Sequence, residues 1–95
     1  MAILSFKDKR AKAIFERRHP GKGFPADVLQ VARRKLIMLH SARPLSDLRS
    51  PPNNHLEAQK GDRAGQHSIR INDRLRICFV RTGNDAEQVE ITDYH

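Results

Sequence analysis

The sequence is poor in the residues that build large cores or covalent cross-links. Its 95 residues include no tryptophan, one tyrosine and a single cysteine, Cys78. One cysteine excludes an internal disulfide and a zinc cluster built on paired CxxC motifs, and it suits a reducing cytoplasm. A chain of this length buries a modest fraction of its surface, so we expect one domain over residues 1–95 with a thin core.

Long apolar runs are also missing. Residues 36–39 and 77–80 form runs of only four residues, whereas a membrane-spanning helix needs about 20. The short apolar stretch at the N-terminus meets Lys7 and Asp8, which is unlike a signal peptide. We therefore expect a cytoplasmic protein with no membrane partner.

Basic residues, in contrast, are plentiful. Eighteen Lys and Arg against eleven Asp and Glu give a net charge of +7 and a pI near 10.3. The excess lies in residues 1–60, which carry a net charge of +8, while residues 61–95 carry −1. A polyanion is the expected partner, and a nucleic acid is favoured over an acidic protein because phosphate contacts are the commonest use of such charge.

Apolar spacing predicts two helices near the N-terminus. A short strand over residues 2–6 precedes a helix over residues 9–18, which Asp8 caps and which carries Arg17 and Arg18 in its last turn. The second helix begins at Pro25 and runs to about His40. One face of it is apolar and consists of Val28, Leu29, Ala32, Leu36 and Leu39.

The rest of the chain is strand-like after an exposed connection over residues 46–54. Alternating apolar residues predict strands over residues 56–59, 66–71, 74–81 and 88–92. The third of these places Leu75, Ile77 and Phe79 on one face and Arg74, Arg76 and Cys78 on the other. Helices followed by strands indicate an α+β domain, in which a helical hairpin packs on one face of a twisted, mostly antiparallel sheet.

Several enzyme classes lack their motifs here. The sequence has no Gly-rich phosphate loop, no dinucleotide fingerprint and no Gly-x-Ser-x-Gly elbow, and its histidines lack zinc-ligand spacing. The Arg, Lys, His, Asp and Tyr side chains that are present suit cleavage of RNA by its own 2′-hydroxyl. That reaction needs a base, an acid and cations at the phosphate, so no metal or other cofactor is expected.

The chain end is the first candidate site. Asp93, Tyr94 and His95 combine two ionisable groups with an aromatic ring. Asp93 and His95 share a face if the last strand continues. A chain end taken alone more often has no function.

Basic residues of the strand region form the second candidate. Arg70 and Arg76 flank a predicted turn, so a cross-strand pair places two guanidiniums on one face for a phosphate. The alternative is that arginine stems only cover the sheet, and for Arg74 this alternative is the stronger. Three further candidates, His55, Lys60 and Arg63, lie around the turn before residue 66, where turn chemistry alone also explains them.

These residues recur in motifs that resemble a known family. The motifs are Gly61-Asp62-Arg63-Ala64-Gly65-Gln66, Ser68-Ile69-Arg70-Ile71-Asn72-Asp73, Arg76-Ile77-Cys78-Phe79 and Asp93-Tyr94-His95. The sequence resembles the HigB-type toxins of the RelE/ParE superfamily over essentially its whole length. The resemblance implies a RelE-like fold and a toxin that cuts mRNA on translating ribosomes. It also implies inhibition by a helix-turn-helix (HigA-type) antitoxin, through which the complex reaches operator DNA.

The resemblance also implies roles for single residues. Asp93, Tyr94 and His95 match the catalytic end of the family, Arg76 matches its strand arginine, and Lys60 matches its basic residue before Gly-Asp-Arg. His55 matches a catalytic histidine only after a two-residue shift. A second active-site arginine falls at Asn72, so Arg70 or Arg74 has to replace it.

The predicted division of labour follows from these matches. Asp93 and His95 supply general acid and base groups, with His55 as a further proton-transfer group, and Tyr94 stacks on a base or positions His95. Arg76, Arg70 and Lys60 hold the scissile phosphate. The predicted contacts to substrate or ribosomal RNA are Arg63, Arg74, Arg33, Arg34 and Lys35. Two other functions stay open, namely a ParE-like inhibitor of DNA gyrase and a non-catalytic RNA-binding module.

Overall fold

The computed structural model describes residues 1–93. Within this range the helices are α1 (Lys9–Phe15) and α2 (Ala26–Ser41), and the strands are β1 (Glu57–Ala58), β2 (Gln66–Arg70), β3 (Leu75–Thr82) and β4 (Asp85–Asp93). Short 3-10 helices occupy Leu45–Arg49, Pro52–Asn54 and Gly61–Arg63. The strands form one antiparallel sheet in the order β1-β2-β3-β4. This arrangement confirms the predicted α+β architecture.

The prediction of a regular first strand over residues 2–6 is wrong. Residues 2–6 lie beside β4, but they form only two isolated parallel bridges, Ile3 with Ala86 and Phe6 with Val89. Gln88 interrupts the ladder between them, because it has a left-handed φ of 52° and donates its N–H to Ser5 Oγ at 2.9 Å. The chain start therefore closes the β4 edge of the sheet without forming a continuous strand.

Helix α1 is shorter than predicted. It ends at Phe15, because Arg17 turns into the left-handed region with φ 62°. Arg17 and Arg18 therefore follow the helix and do not lie in its last turn. The predicted cap is confirmed, since Asp8 Oδ1 accepts the Arg10 N–H at 2.9 Å.

Helix α2 follows the predicted pattern closely. Pro25 lies at its N-cap, and Ala32, Leu36 and Leu39 are fully buried. These side chains pack against the sheet face that carries Ile69, Ile77 and Ile91, which lie side by side on β2, β3 and β4. The core therefore lies between the helices and this face of the sheet.

The opposite sheet face is polar. Register places Ser68, Cys78 and Glu90 in one row across β2, β3 and β4. The next row consists of Arg70, Arg76 and Thr92. Cys78 lies on this face as predicted, but its side chain is fully buried. We call these two rows the polar sheet face.

The connection before the sheet is less exposed than predicted. Leu48 and Asn54 lie in its 3-10 helices and are both fully buried. The predicted strand over residues 56–59 is reduced to Glu57–Ala58, while β4 begins three residues earlier than predicted. No helix of the described range has the length and hydropathy to cross a membrane.

Candidate active site

Arg76 is the most firmly held cation on the polar sheet face. Its Nε donates to Ser68 Oγ at 2.8 Å, and its Nη2 donates to the Ser68 carbonyl at 3.4 Å and to the carbonyl of His55. Ser68 Oγ also accepts from Gln59 Nε2 at 2.6 Å. The Arg76 side chain is only 14% exposed, so its guanidinium is fixed in direction before any ligand arrives.

Arg70 lies beside Arg76 as the sequence predicted. The two residues are register partners on β2 and β3. Arg70 Nε donates to the Asn72 carbonyl at 3.1 Å, and its Nη2 forms an ion pair with Asp73. The hairpin turn thus orients this second guanidinium, which stays one-third exposed.

Asn72 builds the turn itself. Its side-chain Oδ1 accepts the N–H of Arg74 at 2.9 Å and the N–H of Leu75 at 2.8 Å. Such side-chain-to-backbone bonds are what an asparagine contributes to a tight turn. The position where the family resemblance places an arginine is therefore occupied here by a residue that shapes the β2–β3 hairpin.

Asp93 lies at the end of β4 beside a cleft. Its register partner is Leu75, and its Oδ2 accepts from Arg74 Nη2 at 2.9 Å. A cavity of about 330 Å³ opens here, lined by Gly23, Pro25, Val28, Asn72, Arg74, Leu75 and Asp93. The cavity combines an apolar wall with a carboxylate and a guanidinium. We call this cavity the Asp93 cleft.

The Asp93 cleft and the Arg70–Arg76 pair lie at the same end of the sheet but on opposite faces. Asp93 is the register partner of Leu75 and shares the face of Ile77 and Ile91, whereas Arg76 pairs with Thr92 on the polar sheet face. Tyr94 and His95 lie outside the described residues, so their catalytic roles stay predictions. Among residues 1–93, no group of three His, Cys, Asp or Glu side chains is placed to hold a metal ion.

The residues predicted around the Gly61-Asp62 turn separate into different environments. Lys60 is exposed at the start of the Gly61–Arg63 helix. Arg63 Nη1 bonds to Gln66 Oε1 and to Glu90 Oε2, each at 3.1 Å. Arg63 thus ties this helix to the polar sheet face, and its predicted RNA contact stays a prediction.

His55 contributes its main chain to the site. It has a left-handed conformation with φ 44° and ψ 57°, and its carbonyl accepts from Arg76 Nη2. The residue is exposed. The family resemblance implies a role for the His55 imidazole. The observed contact to Arg76 is made by the His55 carbonyl instead, and no sequence signal indicates that contact.

The basic run on α2 does not form one surface. Arg34 is exposed, while Arg33 Nε donates to the Ile14 carbonyl at 3.1 Å. The prediction that Lys35 lies outside the apolar face and grips RNA is wrong, because Lys35 is 2% exposed. Its Nζ donates to Asn54 Oδ1 and, at 3.4 Å, to Asn53 Oδ1. The Pro52–Asn54 helix packs over this point of α2 and takes Lys35 out of solvent.

Burial of Lys35 has a consequence for stability. Desolvation lowers the pKa of its ammonium below the usual 10.5, and the positive charges of Arg34 and Arg70 lower that pKa further. Between the lowered pKa and 10.5, the unfolded state holds more protons than the folded state, so the free energy of unfolding rises with pH in this window. The cost of the buried charge is thus greatest below the folded-state pKa.

We therefore expect Lys35→Met to abolish this rise of the unfolding free energy with pH. From neutral pH up to 10.5, the unfolding free energy of the natural protein should rise relative to that of the variant. Urea titrations at a series of pH values measure the difference. Arg34→Gln should diminish the gain, since it removes one of the charges that lower the pKa. Parallel pH profiles for the natural protein and Lys35→Met would contradict this account.

The comparison with known proteins agrees with this architecture. Residues 4–95 match the HigB-like toxin family, described as the RelE-like toxin of the type II toxin-antitoxin system HigB. The chain belongs to this family. A HigB-like toxin is one member of a toxin-antitoxin pair, so an antitoxin is its partner.

Individual relatives cover most of the chain. Toxin HigB-1 of Vibrio cholerae is 37% identical over 76 residues, which are 80% of each chain. Endoribonuclease HigB of Proteus vulgaris is 32% identical over 93 residues, covering 98% of this chain and 99% of the relative. The solved YoeB/ParE toxin from Agrobacterium tumefaciens aligns over the whole of both chains with a TM-score of 0.53 and 20% identity. That likeness supports the RelE-like fold of this HigB-like toxin.

Proposed function

We propose that this HigB-like toxin is an endoribonuclease that cuts mRNA on the ribosome. The observation that carries the proposal is the fixed guanidinium of Arg76, which lies beside Arg70 on the polar sheet face. Cations held in advance of binding are the groups that stabilise charge developing on a phosphate. The relative from Proteus vulgaris, which carries the name of an endoribonuclease, supports the same activity.

The proposed reaction uses the substrate's own 2′-hydroxyl. A base takes the 2′-hydroxyl proton, the 2′-oxygen forms a bond to phosphorus, and the bond from phosphorus to the 5′-oxygen breaks. An acid protonates the departing 5′-oxygen, which leaves a cyclic phosphate and a free 5′-hydroxyl. Asp93 and His95 are the proposed acid and base groups, and Arg74 holds the Asp93 carboxylate through the 2.9 Å bond. Asp93 lies on the sheet face opposite to Arg76, so the proposed substrate passes around the end of β3 to meet both.

The arginines bind the phosphate in this scheme. Arg76 faces it with a guanidinium that the His55 and Ser68 carbonyls orient, and Arg70 adds a second positive charge from the neighbouring strand. Lys60 is an exposed cation that reaches the RNA backbone from the edge of the sheet, and Tyr94 stacks on a base. Ring stacking of this kind contributes about 1–3 kcal/mol per base.

The proposed partners follow from charge and family. Exposed cations on the helical side, among them Arg34, meet ribosomal RNA phosphates. The antitoxin is proposed to carry a helix-turn-helix domain, and the toxin reaches operator DNA only through that partner. Arg33 and Lys35 are left out of the RNA-contact set, because Arg33 bonds to the Ile14 carbonyl and Lys35 is buried.

We expect Asp93→Asn to slow mRNA cleavage by about 100-fold or more, since a positioned acid or base contributes about 10²–10⁴-fold. Purified ribosomes carrying a short mRNA measure this rate by primer extension. Asp62→Asn is the matched control, because Asp62 is an exposed carboxylate in the Gly61–Arg63 helix, before the opposite end of β2. Equal rates for Asp93→Asn and the natural protein would remove Asp93 from the site. Intact mRNA together with lost supercoiling by gyrase would overturn the nuclease proposal.

A further inference from the structure

Two buried polar side chains lie behind the proposed phosphate site. Lys35 on α2 is 2% exposed and Asn54 is fully buried. Asn54 accepts from Lys35 Nζ through Oδ1. Its Nδ2 donates to the carbonyls of Leu48 at 3.1 Å and Ser50 at 3.3 Å. Both side chains of this Lys35–Asn54 pair are therefore committed to fixed partners.

A buried ammonium is a costly way to hold a helix to a loop. Desolvation of the charge offsets much of what its hydrogen bonds contribute, and an apolar side chain of similar volume often stabilises a fold equally well. Stability alone therefore gives no account of a lysine at this position. What the pair does fix is the direction of the chain leaving the Pro52–Asn54 helix.

The chain leaves that helix directly into the active site. Asn54 is followed by His55, whose left-handed backbone, with φ 44° and ψ 57°, directs its carbonyl to Arg76 Nη2. The His55 N–H is itself held by the Pro52 carbonyl at 3.1 Å. On the other side, Ser68 holds Arg76 Nε, and Gln59 holds Ser68. The Arg76 guanidinium is therefore held by Ser68 on β2, by the His55 carbonyl next to the Lys35–Asn54 pair, and by a 4.0 Å ion pair with Glu57.

We propose that Lys35 and Asn54 are positioning residues, which set the orientation of the Arg76 guanidinium through the main chain of His55. The proposal deepens the nuclease function and rests on it for its kinetic consequence. The proposed orientation of Arg76 by these two residues applies to the free protein, so it can be tested without measuring cleavage. It also gives His55 a role that its carbonyl performs, so the role does not require the imidazole.

The arginine Nε–H signal of Arg76 in a ¹⁵N–¹H spectrum tests the structural part. The signal is identified by its loss in Arg76→Lys. In the natural protein we expect slow exchange of this proton with solvent, because Nε–H donates to Ser68 Oγ in a mostly buried site. In Lys35→Met and in Asn54→Asp, the signal should shift and its exchange should accelerate by about 10-fold or more, as the His55 carbonyl moves off Nη2.

Kinetics on programmed ribosomes test the consequence. Misplacing a catalytic group by about 1 Å can cost 10²-fold in rate. We therefore expect kcat for mRNA cleavage to fall by about 10- to 100-fold in Lys35→Met and Asn54→Asp, while KM changes little. Asn53→Ala is the matched control, because Asn53 is exposed and its contact with Lys35 is the longer one, at 3.4 Å. Its Arg76 signal and its kcat should match those of the natural protein.

The outcomes separate this proposal from the nuclease proposal. A folded Lys35→Met or Asn54→Asp protein with an unchanged Arg76 signal would overturn the positioning role, whatever the activity. If Lys35→Met does not fold, Asn54→Asp decides, since it keeps both the side-chain volume and an acceptor for Lys35. A natural protein that cuts no RNA on ribosomes would overturn the nuclease function, yet the altered Arg76 signal would still support the Lys35–Asn54 pair as the support of Arg76.

Discussion

Arg76→Ala should reduce mRNA cleavage by about 100- to 1000-fold, the usual loss when one preorganised donor to a developing negative charge is removed. The reason is that Arg76 is held by Ser68 and by the His55 carbonyl before RNA binds. Single-turnover cleavage on programmed ribosomes measures the effect. Because the charge develops during reaction, the loss should fall mainly on kcat, with a smaller change in KM.

Two further variants sharpen the interpretation of Arg76. Arg76→Lys keeps a positive charge but lacks the fork that bonds Ser68 and His55 together, so it should recover only a small part of the lost rate. Arg81→Ala serves as the control on the same strand, because Arg81 is exposed and its Nε donates to the Gly83 carbonyl in its own turn, away from Ser68 and His55. Full activity in Arg76→Ala, or equal losses in Arg76→Ala and Arg81→Ala, would contradict the proposed site.

Leu36→Ala should lower the free energy of unfolding by about 2–5 kcal/mol, the range for truncating a buried leucine. Leu36 is fully buried in the core under the sheet. Domains of this kind have a total stability of about 5–15 kcal/mol, so the loss is a large share of it. Urea denaturation measures the shift in midpoint, and the slope should stay unchanged if only stability is altered.

The neighbouring residue provides the control for the core. Ile37 follows Leu36 on α2 but is 43% exposed, and surface substitutions usually change stability by about 0.5 kcal/mol or less. Ile37→Ala should therefore leave the midpoint nearly unchanged. If Leu36→Ala and Ile37→Ala destabilise the protein equally, the assignment of the apolar face of α2 is incorrect.

The paired arginines show which features of the site strand periodicity can predict. Alternation placed Arg70 and Arg76 on the face opposite Ile69 and Ile77, and a short turn between two strands then sets them side by side, as the register confirms. The same reasoning did not identify Ser68 as the acceptor for Arg76, although Ser68 lies on that face two residues before Arg70. Alternation gives the face of a residue but not the rotamer that makes the contact.

The wrong predictions have two different physical sources. The apolar pattern predicts helix α1 as far as residue 18, whereas a left-handed turn at an arginine, Arg17, ends it earlier. The basic run Arg33-Arg34-Lys35 predicts that Lys35 faces solvent. Its burial depends on the segment that carries the buried Asn54, 19 residues further along, and helical periodicity carries no information about that segment.

The sequence by itself determined the class of fold, the buried face of α2, the three long strands and the family, because each depends on local periodicity or on motifs that are contiguous in the chain. Only the tertiary structure decided which cations face solvent and which groups hold Arg76. Those facts depend on hydrogen bonds that α2 donates to the Pro52–Asn54 helix and that Arg76 on β3 donates to the His55 carbonyl. Such bonds form only once burial excludes water and brings side chains and carbonyls from separate segments within reach.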